Sequence, residues 1–238
     1  MQNGNSIQKS KSSPPIVIGD DFEGYSLESF RITPNLSKYL QSVLIPGGFI
    51  QDRIERLACD IATDLGNEPF TALCVLKGGY LFFNNLLEKI RQLHRYRCLD
   101  DPELQDDEAQ QIKVEFIRLK SYENEKSTNQ IQVIGLESLE SLRGRNVLIV
   151  EDIIDTGRTM VKLLKLLEQY EPRTIRVTSL LVKRTPLSNG YMPKYTGFSI
   201  PNKFIVGCNM DYNEYFRDLN HLCVMNEYGK QKYSLANR

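Results

Sequence analysis

The sequence lacks an excess of charge of either sign, a metal-binding cysteine pattern and a hydrophobic run long enough to cross a bilayer. Its 30 Lys and Arg balance 30 Asp and Glu, which argues against general nucleic-acid binding. The five cysteines form no C-x-x-C pair and have no histidine at metal-binding spacing, so reduced thiols in a cytoplasmic protein are expected. Residues 1–15 are polar and carry no secretory signal, and a disordered tail is expected there. No membrane partner is expected.

The remaining chain, residues 16–238, has the length of one ordinary domain that needs no disulfides. Apolar segments alternate with segments that have apolar residues at helical spacing, which predicts an α/β fold with a parallel sheet. The predicted strands are 70–76, 111–117, 146–150, 174–183 and 203–208, and the predicted helices are 49–64, 80–94 and 160–170. Residues 99–111 are acidic and are expected to form a solvated loop. In such a fold the ligand crevice lies at the carboxyl ends of the strands.

The most informative segment is the predicted strand 146–150 with the residues that follow it. Glu151 and Asp152 come directly after the strand, and a D-T-G-R-T loop, residues 155–159, leads into the next helix. An isolated D-T-G is more often a simple helix cap, with Asp155 or Thr156 as the capping residue. Paired acids at the end of a buried strand are costly unless they bind something, and a helix N-terminus binds anions. The segment therefore predicts a site for a sugar phosphate.

Two further segments gain meaning beside this one. The Leu76-Lys77-Gly78 stretch joins a predicted strand to a predicted helix; alone it would be an ordinary glycine turn, but it also suits an anion such as pyrophosphate. Lys183 ends the predicted strand 174–183, where a lysine must either reach solvent or meet an acceptor.

Residues 147–159 resemble the signature of the type I phosphoribosyltransferases, and in particular the members that act on 6-oxopurines. The resemblance extends to five further blocks in the same order, residues 44–50, 73–80, 114–122, 179–186 and 211–220. It implies a central, mostly parallel sheet flanked by helices (about 48–200), with a small hood subdomain from about 16–47 and 201–238. It also implies transfer of a phosphoribosyl group from phosphoribosyl pyrophosphate to hypoxanthine or guanine, giving IMP or GMP. Mg2+ and a homodimer or homotetramer are implied as well.

The resemblance also implies individual roles. Asp155 would exchange a proton with the purine N7 as catalytic base or acid. The residues implied to bind the ribose and the 5′-phosphate are Glu151, Asp152, Asp155, Thr156, Gly157, Arg158 and Thr159. The residues implied to contact pyrophosphate are Leu76, Lys77, Gly78 and Arg217, with a cis peptide between Leu76 and Lys77.

For the base, the resemblance implies contacts from Lys183, Phe204, Ile205 and Asp211. Because an ammonium group only donates hydrogen bonds, Lys183 favours a 6-oxo over a 6-amino purine. Ser121 and Tyr122 are implied to head a lid loop. The acids implied to hold the metal are Glu151, Asp152 and Asp211.

The chain departs from the family pattern at two places. Cys208-Asn209 stands where relatives commonly have Tyr-Ala, and the resemblance puts this segment beside the base pocket, so a different purine preference or affinity is expected. The acidic insertion after His94 is longer than expected. Two other functions stay open at this point: a ligand-sensing regulator of the same fold, and a catalytically weak paralogue that binds purine nucleotide. Neutral charge weighs against the regulator, and the presence of Asp155, Lys77 and Arg217 weighs against the weak paralogue.

Overall fold

The computed structural model describes residues 12–100, 111–121, 131–136 and 138–234 of the chain. The strands of this part are β1 (Ile16–Val17), β2 (Leu40–Ile45), β3 (Phe70–Leu76), β4 (Ile112–Ser121), β5 (Ile131–Ile134), β6 (Asn146–Ile154), β7 (Thr174–Lys183), β8 (Tyr195–Ile200), β9 (Ile205–Val206) and β10 (Leu222–Met225). The helices are α1 (Pro34–Ser37), α2 (Gly47–Leu65), α3 (Tyr80–Asp100), α4 (Arg158–Glu168) and α5 (Glu227–Lys232), with 3-10 turns at Leu27–Ser29 and Leu139–Leu142.

In the described residues the strands form two sheets. Seven strands form a large sheet in the order β1-β8-β7-β6-β3-β4-β5, in which β4 and β5 pair antiparallel and the other neighbours pair parallel. Strands β2, β10 and β9 form a small antiparallel sheet. The expected α/β class, with a mostly parallel sheet, is confirmed.

Strand β6 lies at the centre of the large sheet because its side chains alternate between two apolar cores. Leu148 and Val150 belong to the core that α2 and α3 cover, and Val147 and Ile149 belong to the core that α4 covers. All four are buried. Burial of side chains of this size stabilises the fold by about 1.5–3 kcal/mol each, so the strand that carries the predicted site is firmly fixed.

Several predicted boundaries differ from those observed. The strand predicted over 146–150 runs on to Ile154, so Glu151 and Asp152 lie within β6. Helix α3 extends to Asp100, beyond the predicted end at residue 94 and into the segment expected to be a loop. The strand predicted over 203–208 is reduced to β9, because Gly207 turns the chain with a φ of 101°.

The N-terminal part also differs. Residues 12–15, expected to belong to a disordered tail, contact α2: the Ser13 N–H donates to Asp60 Oδ2 at 2.8 Å, and Pro14 O accepts from Arg53 Nη2 at 2.7 Å. The buried Arg53 guanidinium needs acceptors, and this segment supplies one. Strand β1 pairs with β8 in the large sheet, so the hood does not begin at residue 16 as expected. Residues 1–11 lie outside the described part.

The small sheet lies against the large one through the start of α2. His221 Nδ1 accepts a hydrogen bond from Gly47 N at 2.9 Å, and the His221 ring packs against Phe30 with centroids 4.9 Å apart. Helix α5 is capped by Asn226, whose Oδ1 accepts from Gly229 N at 2.8 Å. We call the small sheet, the residues between its strands β9 and β10, and α5 the hood; its residues Asn209 and Glu214 contact the loop that follows β3. In the described residues no helix is both long and apolar enough to cross a membrane.

Candidate active site

A cavity of about 270 Å³ lies at the carboxyl end of β6. The predicted site residues among its lining are Leu76, Glu151, Asp152, Asp155, Thr156, Gly157 and Thr159. Sequence reasoning missed the apolar part of the lining, which consists of Val75, Leu119, Ile153, Ile154 and Met160. The cavity joins the end of β3 to the loop between β6 and α4.

The loop between β6 and α4 exposes backbone donors toward this cavity. Gly157 is the N-cap of α4 and has a φ of 76°, which a residue with a Cβ rarely adopts. Within the described residues, the N–H groups of Gly157, Thr159 and Met160 donate to no acceptor. Unpaired N–H groups at the positive end of an 11-residue helix form a ready anion site.

Neither Asp155 nor Thr156 is the helix cap. Asp155 is exposed and accepts from Lys183 Nζ at 3.4 Å through Oδ2. Thr156 Oγ1 accepts from Arg158 N at 3.4 Å. The simple capping explanation for the D-T-G sequence therefore does not hold for Asp155, which is turned toward the end of β7.

A segment that sequence reasoning overlooked supports this loop from behind. Asn189 N donates to Thr156 O at 2.9 Å, and a Cβ on Gly157 would come within 2.3 Å of Asn189 Oδ1 and 3.0 Å of Tyr191 Cβ. Gly157 is thus required both for its backbone angle and for its close packing. No local sequence pattern indicates this contact.

The two acids at the end of β6 have an unusual environment. The Glu151 carboxyl is surrounded by protein, although part of the residue is accessible to solvent. This burial raises the pKa of Glu151 well above its usual range, and the neighbouring charge of Asp152 is the second cause. Beneath them on β3, burial and then the charges of Glu151 and Asp152 raise the pKa of the Cys74 thiol to about 12. Two crowded carboxylates form a place where a divalent cation or hydroxyl donors are favoured.

Asp152 lies directly against the loop after β3. A Cβ on Gly78 would come within 1.8 Å of Asp152 Oδ2, so only glycine fits there without movement. The peptide between Leu76 and Lys77 is cis, as the resemblance implies. Gly78 and Gly79 immediately precede α3. In the described part of the chain, their N–H groups donate to no acceptor. This loop is a second set of free backbone donors beside the acids.

Residues 209–217 of the hood cover that loop. Lys77 Nζ lies 3.0 Å from Glu214 Oε2, and both side chains are about half exposed. Arg217 Nη2 lies 2.9 Å from Asp211 Oδ1 and 3.3 Å from Glu214 Oε1. Hydrogen bonds from Lys77 and then Arg217 lower the pKa of Glu214. Arg217 Nε is a buried donor that has no partner in the described residues.

The base-side residues partly come together. Lys183 is mostly buried and its Nζ meets Asp155, whereas Phe204 is 37% exposed and packs edge-on against Tyr212 at 4.9 Å between centroids. Ile205 is buried in β9. Ser121 is the last residue of β4, and the predicted lid residue Tyr122 lies outside the described residues.

The expected three-acid metal set is not assembled. In the described ranges, no group of three or more His, Cys, Asp or Glu side chains could hold a metal ion. Asp211 is engaged by Arg217 and by the N–H of Glu214, which donates to Oδ2 at 2.7 Å. Glu151 and Asp152 remain as a carboxylate pair, and one or two carboxylates together with substrate phosphates suit Mg2+.

Comparison with known proteins identifies the class. A family model described as Phosphoribosyl transferase domain matches residues 47–213. The chain therefore belongs to the phosphoribosyltransferase family, which confirms the resemblance found in the sequence.

Individual relatives narrow this class. The chain is 54% identical over 221 residues to hypoxanthine-guanine phosphoribosyltransferase of Homo sapiens and 53% identical over 221 residues to that of Mus musculus; each alignment covers 93% of this chain and 97% of the relative. The crystal structure of hypoxanthine-guanine phosphoribosyltransferase from Schistosoma mansoni in complex with IMP matches with a TM-score of 0.75 at 36% identity, covering 93% of this chain and 100% of that one.

Proposed function

We propose that this chain transfers the phosphoribosyl group of phosphoribosyl pyrophosphate to hypoxanthine or guanine, giving IMP or GMP and pyrophosphate. The observation that carries the proposal is a loop with free amides and a carboxylate pair lining one cavity at the end of β6, with a second loop of free amides directly against Asp152. The sequence identity to hypoxanthine-guanine phosphoribosyltransferases and the IMP in the Schistosoma mansoni relative support it.

Each part of the donor substrate has a matching group in the cavity or beside it. The 5′-phosphate suits the loop that precedes α4, with its free N–H groups and the hydroxyls of Thr156 and Thr159. The ribose hydroxyls suit Glu151 and Asp152, which only accept hydrogen bonds when ionised. The pyrophosphate suits the loop of residues 76–79, which we call the pyrophosphate loop, with charge from Lys77 and Arg217.

The cations that meet pyrophosphate are paired with acids when no substrate is bound. Lys77 and Arg217 both contact Glu214, and exposed pairs of this kind are weak and screened by salt. A pyrophosphate carries more negative charge than one carboxylate and can bind both cations at once. When the donor substrate binds, its pyrophosphate therefore takes the place of the Glu214 carboxylate as the partner of Lys77 and Arg217.

The Lys183–Asp155 pair fits one edge of a 6-oxopurine. Guanine presents N7 and O6 side by side. Nζ of Lys183 and Oδ2 of Asp155 are 3.4 Å apart, so one can donate to O6 while the other faces N7. Adenine has an amino donor in place of O6, which would leave the ammonium of Lys183 without an acceptor.

The reaction follows from these positions. As N9 of the base forms its bond to the anomeric carbon, the bond from that carbon to the pyrophosphate oxygen breaks, and pyrophosphate leaves with the electron pair. Asp155 accepts the proton that the purine releases from N7. The N–H groups and cations around the leaving group stabilise its developing charge.

Mg2+ belongs to the same proposal. Glu151 and Asp152 would hold it together with oxygen atoms of the substrate, because the pair lies beside the pyrophosphate loop and carries crowded negative charge. When bound, the ion neutralises charge on the leaving pyrophosphate. Asp211 is left out of this set because Arg217 engages it.

The proposal is tested by assaying hypoxanthine, guanine, xanthine and adenine with phosphoribosyl pyrophosphate and magnesium. Turnover of the first two, with adenine at least about 100-fold poorer, is expected because a hydrogen-bonding site rejects a mismatched group strongly. Binding without turnover would indicate the weak paralogue, and no response to any purine would favour the regulator.

The proposal also includes an oligomeric state and a location in the cell. A homodimer or homotetramer rests on the family resemblance, and light scattering against the 27.4 kDa chain mass tests it. A cytoplasmic location rests on the free thiols of Cys59, Cys74, Cys208 and Cys223, and fractionation tests it.

A further inference from the structure

Asn209 connects the hood to the pyrophosphate loop through its side chain. Its Nδ2 donates to Lys77 O at 2.7 Å and to Gly78 O at 3.0 Å, although these residues are more than 130 positions apart in the chain. An amide nitrogen carries two hydrogens, so each of the two carbonyls can receive one. The residue is partly buried and has a φ of 72°.

These two hydrogen bonds fix the direction of the backbone donors in the loop. Each peptide unit is planar, so the carbonyl of Lys77 is rigidly linked to the N–H of Gly78, and the carbonyl of Gly78 to the N–H of Gly79. In a trans peptide the N–H points away from the carbonyl. Holding both carbonyls from the hood therefore directs both N–H groups to the opposite side, where in the described residues they find no protein acceptor.

The backbone of Asn209 is tied to the other pyrophosphate contact. Asn209 O accepts from Arg217 Nη1 at 2.7 Å, and Asn209 N donates to Arg217 O at 3.0 Å. Asn209 thus contacts the pyrophosphate loop with its side chain and positions the Arg217 guanidinium with its main chain. An alanine at this place could make the main-chain contacts but not the side-chain ones.

We propose that Asn209 is a positioning residue, which sets the loop amides and Arg217 as one unit for pyrophosphate. The proposal rests on the proposed function, since pyrophosphate is the leaving group of that reaction. It predicts that Asn209 controls affinity for the donor substrate and for pyrophosphate but not for the purine, because its contacts lie on the pyrophosphate side alone.

Asn209→Gly and Asn213→Gly form a matched pair for the test. Asn213 lies in the same hood segment, also has a positive φ, 53°, and also donates its amide to a backbone carbonyl, that of Tyr233. Glycine avoids backbone strain at both positions. The measurements are the KM for phosphoribosyl pyrophosphate, the KM for hypoxanthine, and the affinity of the free protein for magnesium pyrophosphate by calorimetry.

Asn209→Gly is expected to weaken pyrophosphate binding and raise the KM for phosphoribosyl pyrophosphate about tenfold, the size of losing two ordinary hydrogen bonds. The KM for hypoxanthine should stay within about twofold of wild type. Asn213→Gly should leave all three values near wild type. Asn209→Asp keeps the shape but removes both donors, and its affinity for pyrophosphate should be at least as weak as that of Asn209→Gly.

Equal effects of the two glycine variants would overturn the proposal, as would unchanged pyrophosphate affinity in Asn209→Gly or a parallel rise of both KM values. The calorimetric titration needs no turnover. A wild-type chain that binds pyrophosphate but turns over no purine would contradict the proposed function, while the titration of the variants would still decide the role of Asn209.

Discussion

Replacement of Gly78 by alanine tests the contact between the acid pair and the pyrophosphate loop. The added Cβ would lie 1.8 Å from Asp152 Oδ2 and 2.7 Å from its Cγ, whereas real contacts of a Cβ essentially never fall below 3.0 Å. The whole carboxylate must therefore move by roughly 1 Å, or the loop must move away from it. Either movement displaces a group proposed to bind the ribose or the pyrophosphate.

A misplacement of about 1 Å at a reacting centre costs about 100-fold in rate. Gly78→Ala is therefore expected to lower kcat/KM for phosphoribosyl pyrophosphate about 100-fold, equivalent to ~2.7 kcal/mol of transition-state stabilisation. The assay is steady-state formation of IMP from hypoxanthine with the donor substrate varied. The unfolding midpoint should change little, because the carboxylate faces an open cavity.

Gly48→Ala is the matched control. Gly48 lies in the first turn of α2, and a Cβ there would meet nothing within 4 Å. This variant should keep wild-type kinetics. Wild-type kcat/KM in Gly78→Ala would refute the reasoning that Asp152 and the loop act as one rigid arrangement.

Further variants address the proton, the base, the leaving group and the hood. Asp155→Asn should lower kcat by about 10²–10⁴-fold and change GMP affinity much less, and equal losses in both would count against a proton role. Lys183→Gln should relax the preference for 6-oxo over 6-amino purines; an unchanged ratio of hypoxanthine to adenine turnover would remove this explanation of specificity. Glu214→Gln should tighten pyrophosphate binding at low salt, because it frees Lys77 of a competing carboxylate; weaker binding would show that Glu214 assists rather than competes. Burial lowers the pKa of His221, so the folded state favours the neutral imidazole. The contribution of His221 to the free energy of unfolding should therefore be full above the pKa of the unfolded chain, about 6.5, and should be lost as the pH falls from there through the lower pKa of the folded state. His221→Gln should flatten this slope in urea titrations, and an unchanged slope would assign the pH dependence elsewhere.

The centre of the site could be predicted from the sequence because its signals are local. The apolar strand, the paired acids, the D-T-G loop and the amphipathic helix follow one another within residues 146–170, and each has its own short-range pattern. The structure places Glu151, Asp152 and the loop along one cavity. The strand end was misjudged because Ile153 and Ile154 continue the pairing with β7 beyond the acids.

The buried strand β8 escaped prediction for a physical reason. Its sequence, Y-T-G-F-S-I, has a glycine in its interior, and glycine is depleted in strands. Gly197 is required by packing, since a Cβ would come within 2.5 Å of Leu180 O on the neighbouring strand. That requirement depends on a contact with another segment and leaves no local pattern.

The contacts between the hood and the pyrophosphate loop could not be predicted for a related reason. Asn209 and Glu214 reach Lys77 and Gly78 across more than 130 positions of sequence. The sequence shows that Cys208-Asn209 differs from the family pattern, but the effect of this difference was expected at the base pocket. The structure instead turns the Asn209 amide toward the pyrophosphate loop and buries Cys208, whose Sγ contacts Asn220 O at 3.2 Å.

The most direct test of the central claim is a crystal structure of the chain with GMP. The 5′-phosphate should lie on the backbone N–H groups of residues 155–159, with O6 of the guanine at Lys183 Nζ and N7 at Asp155. A nucleotide whose phosphate binds away from the α4 N-terminus, or whose base leaves Lys183 and Asp155 paired with each other, would contradict the claim.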